Sequence, residues 1–291
     1  MKVLGLGDNV FDVYENMDLA YPGGNAVNVA VNAARLGAEA AYLGNVGTDA
    51  KGETMMDVLA REGVDAARCP RPAASTTKCC IEDVIDGERH WKRNDLGENW
   101  AGPLELTPEL VAYAATFDAI LTSCNAKMPE EVAKLAGVPG IVVFDFGEKD
   151  KYRTPEYLTQ VLPAVDIAQF SMSGMSRDEV LAEIDRMGIG CAVLATRGAD
   201  SPLFCAGGAV FEGLRSEGSA ADTMGAGDAF ITALVLDLIA SGWHKGADLA
   251  AGQVEHALAA AAAHAKEACT QAGGFGHAFD IVDGSFQERD E

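Results

Sequence analysis

Short apolar runs alternate with helix-period stretches along most of the chain, and this alternation limits the fold more than any other feature. Segments 2–7 (KVLGLG), 40–47 (AAYLGNVG), 117–123 (FDAILTS), 140–146 (GIVVFDF), 166–171 (DIAQFS) and 191–197 (CAVLATR) read as strands. Segments 25–37 and 51–63 have helical spacing and stop at Gly37 and Gly63, and further helical patterns fall near 129–136, 155–162 and 176–187. Strands separated by helices mean βαβ units and a mainly parallel sheet. The 291 residues suffice for one large α/β domain or one domain with a small appendage. One region, 75–95, breaks the rhythm. Two strand-like halves flank Asp86-Gly87, a strong hairpin turn signal. Such an insertion is either a lid over the open end of the sheet or an edge decoration; Lys92 and Arg93 at its end favour the lid.

The balance of 44 acidic against 22 basic residues, a net charge of −22, repels nucleic-acid phosphates and anionic lipid and argues against both as partners. Seven cysteines with no C-x-x-C spacing fit neither a disulfide framework nor a zinc pattern and predict reduced thiols in a cytoplasm. The first ten residues hold too short an apolar run for a signal peptide. No segment approaches the roughly 18 uninterrupted apolar residues of a membrane helix. AFITALVLDLIA, interrupted by Asp237, reads as a buried core helix, and the last residues, DGSFQERDE, are expected to fray.

Two glycine-rich stretches carry the chemistry. In DTMGAGDAF (222–230), Gly225, Ala226 and Gly227 can present consecutive N–H groups where a helix begins, with Asp228 in its first turn. One reading is a helix cap with a dipole-favoured aspartate. The other is an anion hole for a transferring phosphoryl group, with Asp228 taking a proton from the attacking hydroxyl. In PGGNAVNVA (22–30), Gly23 and Gly24 allow close approach, while Asn25 and Asn28 offer amides suited to a hydroxyl-rich ligand. A turn and helix cap is the bland alternative. Asp12 is either a turn aspartate or a clamp for a pair of sugar hydroxyls. GLGDNV (5–10) is a two-thirds match to the dinucleotide fingerprint, with Val10 in place of the third glycine, and no Walker A motif occurs. The five histidines form no zinc pattern, and no G-x-S-x-G elbow is present.

GGNAVNVAVNAARLG with Gly47 beyond it, followed some 200 residues later by DTMGAGDAF, resembles the two signatures of the ribokinase-like (PfkB) carbohydrate kinases. With GDNVFDVY and VFDFGEK, these segments are most similar to the fructoselysine kinases among them. The resemblance implies a three-layer α/β/α sandwich with a mainly parallel central sheet, spanning 1–291 as one domain, and a small β lid formed by about 10–18 and 75–95. It implies ATP and Mg²⁺, with a monovalent cation as an optional third, and a sugar or sugar-amine substrate. Asp228 is then the catalytic base, and residues 225–227 the anion hole. Asp12, Gly24, Asn25 and Asn28 hold the sugar, joined by Arg93 from the hairpin. Thr196 and Gly198 line the nucleotide, and Asp145 stands near magnesium, through water. A homodimer through the lid is implied as well; Trp91 and Trp100 flank the lid, either covering the substrate or lying at that dimer contact.

The chain departs from the family pattern in four places. Thr232 replaces a small residue of the second signature. QFSMSGMSRDE (169–179) lacks the N-x-x-E element associated with the magnesium–water network. Ser201 stands for a common glycine of the nucleotide turn, and Lys149 for arginine, the latter in keeping with the fructoselysine kinases. The rivals are a kinase for another sugar, a keto-deoxy acid or a nucleoside, and a sugar-binding protein with little turnover.

Overall fold

The computed structural model describes residues 1–85, 88–215 and 222–289. Elements are numbered in chain order. The larger sheet comprises β1 (Lys2–Leu6), β4 (Glu39–Leu43), β7 (Ala119–Ser123), β8 (Ile141–Asp145), β9 (Ile167–Ser171), β10 (Ala192–Arg197), β11 (Asp200–Ala206) and β12 (Ala209–Glu212). Their spatial order is β12-β11-β10-β9-β8-β7-β1-β4. The six strands from β10 to β4 run parallel, and β11 and β12 append an antiparallel edge that the periodicity did not announce.

Eight α-helices occur among the described residues: α1 (Asn25–Arg35), α2 (Ala50–Arg61), α3 (Pro108–Ala114), α4 (Pro129–Val132), α5 (Pro155–Val161), α6 (Arg177–Met187), α7 (Ala226–Ala240) and α8 (Ala251–Ala268). Local chemistry marks their ends. The Asp49 carboxylate accepts from the Gly52 amide at the start of α2, and Ser176 and Glu179 form a reciprocal capping box on α6, which closes on Gly188.

Residues along the central strands alternate between two cores. Val3, Leu121, Ile141 and Val143 pack with residues of α1, α2, α7 and α8. Leu4, Ile120, Val142 and Phe144 pack on the other side with residues of α3 to α6. Cover on both faces is why these strands read as continuous apolar runs, and it makes the α/β/α sandwich of three layers. Helix α7 lies between α1 and α8 with apolar side chains all round, as expected of AFITALVLDLIA.

A second sheet gathers three distant parts of the chain: β2 (Val10–Tyr14) with β3 (Leu19–Gly23), β5 (Cys79–Ile85) with β6 (Glu88–Asp95), and β13 (Phe279–Val282) with β14 (Ser285–Glu288). Its order is β14-β13-β3-β2-β5-β6. The expected hairpin is present as the antiparallel β5/β6 pair; its Asp86-Gly87 turn lies outside the described residues. The sheet exceeds the expected 10–18 and 75–95, because β3 and the C-terminal hairpin complete it. The tail expected to fray instead forms β14, paired to β13 and packed through Phe286 against Phe11, with centroids 4.9 Å apart; residues 290–291 of that tail lie outside the described residues. One apolar residue in a polar tail gave too little periodicity to reveal it.

Candidate active site

Helix α7 begins where Gly225 adopts φ +70°, a left-handed conformation that a side chain resists. The Ala226 amide is already used by the turn, donating to the Thr223 carbonyl at 3.2 Å. Gly227 and Asp228 follow in the first turn, whose amides have no i−4 carbonyl to bond in regular helical geometry. The Asp228 side chain is 5% exposed, and two amides grip it. Asn25 Nδ2 donates to Oδ1 and Asn28 Nδ2 to Oδ2, each at 2.8 Å.

Those asparagines come from the first turn of α1. Gly24 precedes them at φ +104°, and a Cβ there would approach the Asp8 carbonyl oxygen to 2.9 Å. Asp8, just beyond β1, accepts from the Asn25 amide at 3.2 Å. Asn25 Oδ1 accepts from Asn125 Nδ2 at 2.8 Å and from Ser123 Oγ at 3.2 Å, at the end of β7. The network thus joins the C-terminal ends of β1 and β7 to the starts of α1 and α7, the usual ligand crevice of an open α/β sheet.

Burial drives the electrostatics here. It raises the Asp228 carboxyl to about 7; the Asn28 and Asn25 bonds oppose the shift, and the charges of Asp145 and Asp8 add to it. Asp145, at the end of β8, is lifted to about 6, again by burial, against the pull of its bond from the Gly147 amide. Asp228, Asp145, Asn25, Thr122 and Gln169 line a cavity of about 10 Å³. Gln169 Oε1 and Thr122 Oγ1 are buried there without a hydrogen-bond partner among the described residues. Thr232, wholly buried, donates its hydroxyl to the Asp228 carbonyl at 2.6 Å, so the departure from a small residue is absorbed by a bond back to the preceding turn.

The second sheet meets this site through the loop before α7. Asp222 accepts from the Tyr14 hydroxyl at 2.5 Å, from the Met224 amide at 2.9 Å and from the Gly273 amide at 3.0 Å. Arg89 of β6 reaches the same loop, with Nη1 2.9 Å from Met224 Sδ and Nε 3.6 Å from Asp222. Asp12 lies buried on β2. Desolvation first, then the charge of Glu82, push its carboxyl up to about 8, while Arg89 opposes them.

The expected residues are therefore brought together unevenly. Asp228, Asn25, Asn28, Gly24 and residues 225–227 converge, with Asp145 beside them. Asn25 and Asn28 spend their amide nitrogens on Asp228. Arg93 does not join the group: it pairs with Glu15 at 2.7 Å on the exposed side of β6, as does Lys92. Trp91 is 63% exposed, and Trp100 lies under Lys127 Nζ, 5.3 Å from its ring centroid. Thr196 and Gly198 stand together at the β10–β11 turn, where Thr196 Oγ1 donates to the Phe170 carbonyl at 3.4 Å and Gly198 adopts φ +65°. Sequence reasoning passed over Asp8, Asp222 and Arg89. Asp8 was visible in the failed fingerprint GLGDNV, and Asp222 opens the very motif that was singled out; Arg89 carried no signal.

An aspartate held at a helix start, at the C-terminal edge of a parallel α/β sheet, is placed to meet a ligand in the crevice there. Residues 18–276 match the family described as pfkB family carbohydrate kinase. The chain belongs to that family and is an ATP-dependent sugar kinase. It is 31% identical over 296 residues to the fructosamine kinase FrlD of Bacillus subtilis, covering 99% of each chain. It is 30% identical over 254 residues to fructoselysine 6-kinase of Escherichia coli, covering 86% of this chain and 92% of the relative. The fold is shared with an ATP-bound fructokinase from Xylella fastidiosa (TM-score 0.75, 19% identity, 94% of each chain covered). It is also shared with aminoimidazole riboside kinase from Salmonella enterica (TM-score 0.72, 23% identity, 94% of each chain covered). No helix among the described residues is long and apolar enough to cross a membrane.

Proposed function

We propose that this kinase transfers the γ-phosphoryl group of ATP to the primary hydroxyl of a sugar-amine of the fructoselysine type. The observation that carries the chemistry is the Asp228 carboxylate, buried, raised to about 7 and oriented by two amides. A base poised near the working pH is matched to removing a hydroxyl proton as the oxygen attacks. The new bond joins the sugar oxygen to the γ-phosphorus, the bond to the β-phosphate oxygen breaks, and the proton passes to Asp228. Asn25 and Asn28 hold the carboxylate in line, and the free amides of the first turn of α7 receive the charge on the phosphoryl oxygens. The substrate class rests on the two relatives near 30% identity, a fructosamine kinase and a fructoselysine kinase.

Mg²⁺ fits the chemistry beside Asp145. The unpartnered oxygens of Gln169 and Thr122 face a cavity about the size of one water, which suits an ion held through water rather than directly. When bound, it would offset phosphate charge. Thr196 and Gly198 are assigned to the nucleotide, and the inner face of the second sheet to covering the sugar and excluding water. The exposed Trp91 and Ile85 on the β5/β6 hairpin support a homodimer through that sheet, which light scattering in solution would test.

The deciding experiment is a coupled assay of ADP release over fructoselysine, other fructosamines, fructose, ribose and nucleosides. Fructosamines are expected to turn over best. If they are inert while another sugar reacts, the substrate assignment falls and the kinase assignment stands.

A further inference from the structure

The inner face of the second sheet buries more carboxyl groups than a neutral sugar requires. In the parallel β2/β5 pair, Asp12 lies beside Cys80 and Tyr14 beside Glu82, so all four side chains share one face. The Tyr14–Asp222 bond turns that face towards the loop before α7. One ligand atom each from Asp12, Cys80 and Glu82 lies within 4.8 Å of the others. Glu82 is 7% exposed; Oε1 accepts weakly from Cys80 Sγ at 3.4 Å, and Oε2 has no hydrogen-bond donor among the described residues. Its nearest cation is Arg89, 3.9 Å away, and Arg89 is shared with Asp222. A second, independent acceptor is orphaned nearby. Asn28, 3% exposed, gives its Nδ2 to Asp228 and leaves Oδ1 without a partner among the described residues. A Cβ on Gly23 would lie 2.3 Å from Asp12 Oδ2 and 3.9 Å from that Asn28 oxygen, so both converge on one small volume.

Unsatisfied acceptors call for a ligand rich in donors, and buried carboxylates sharing one guanidinium call for a positive one. We infer that the Cys80–Glu82 edge of β5 is a subsite for a protonated amine of the substrate, with Glu82 as its counter-ion and Asp12 and Asn28 Oδ1 taking the adjoining donors. This inference rests on the sugar-amine reading above and names the group that would discriminate an amine from a plain sugar. A transition metal fits the same three residues less well. Burial and the neighbouring carboxylates push the Cys80 thiol up to about 12, so it stays protonated and is a poor ligand.

The test compares 1-amino-1-deoxyfructose with fructose, which differ by an ammonium in place of one hydroxyl, using titration calorimetry on the full chain. The wild type is expected to favour the amine by about 10–100-fold, the range for a charge-assisted contact. In Glu82→Gln that preference falls to within about threefold of unity, and Glu82→Asp restores part of it. Measurable fructose binding by each variant certifies its fold. A preference that survives Glu82→Gln, or an equal loss for both ligands, overturns the subsite. So does stoichiometric Zn²⁺ or Mn²⁺ binding that Glu82→Gln abolishes. Absence of phosphoryl transfer to any sugar by the wild type would instead defeat the functional reading, and the binding ratio would still judge the subsite.

Discussion

The start of α7 and the inner face of the second sheet each bury a carboxylate, and they treat it in opposite ways. Asp228 receives two amide hydrogen bonds that favour its charged form and hold it at about 7 despite full burial. Asp12 has charged neighbours but, among the described residues, no hydrogen-bond donor, and it rises to about 8. Two amides orient the first; the second has no such support among the described residues. On the proposed reading the contrast separates a group that performs chemistry from one that recognises, and it is open to direct attack.

The largest expected effect is at Asp228. Asp228→Asn preserves shape and removes the base, so kcat falls by roughly 10²–10⁴-fold with little change in the sugar KM. Steady-state kinetics with the best sugar from the screen measures this, and near-normal turnover would abolish the distinction between the two carboxylates.

A smaller effect separates two arginines of β6. Arg89→Ala releases the loop that starts α7 and slows kcat by about tenfold, because the reacting groups lose their fixed approach. Arg93→Ala removes only an exposed pair with Glu15 and changes kcat and KM by less than about twofold. Reversed results would return Arg93 to the site.

The smallest effect concerns stability. Asp12 sits at about 8 in the fold against 3.8 ordinarily, so between those values the folded chain keeps a proton that the unfolded chain has released. Its contribution is therefore present at low pH and lost as the pH rises through 8. Asp12→Asn should raise the melting temperature at pH 9 by a few degrees, with the gain shrinking as the pH falls towards 5. A variant that melts lower than wild type at pH 9 would mean that the Asp12 charge is already satisfied without ligand.

Much of the main sheet was legible because its cause is local. β1, β7, β8, β9 and β10 fall within a residue or two of the apolar runs that announced them, since strands covered on both faces need uninterrupted apolar sequence. The antiparallel edge β11–β12 was missed, for its pattern is half-polar, as an edge permits. Within the site, DTMGAGDAF declared both a helix start at Ala226 and a glycine with positive φ before it. Arg93 was named and Arg89 passed over, because position along a hairpin does not say which partners a strand residue meets.

By itself the sequence determined the layered α/β framework, the place where α7 begins and the aspartate in its first turn. Periodicity and backbone conformation depend on neighbours a few residues apart. Tertiary structure alone decided that Asn25 and Asn28 serve Asp228, that the second sheet is built from β2–β3, β5–β6 and β13–β14, and that Asp12, Cys80 and Glu82 share one buried face. Those outcomes depend on strand register and on contacts across some 200 residues of chain, and a side chain's partner at that range is set by packing, which no local pattern encodes.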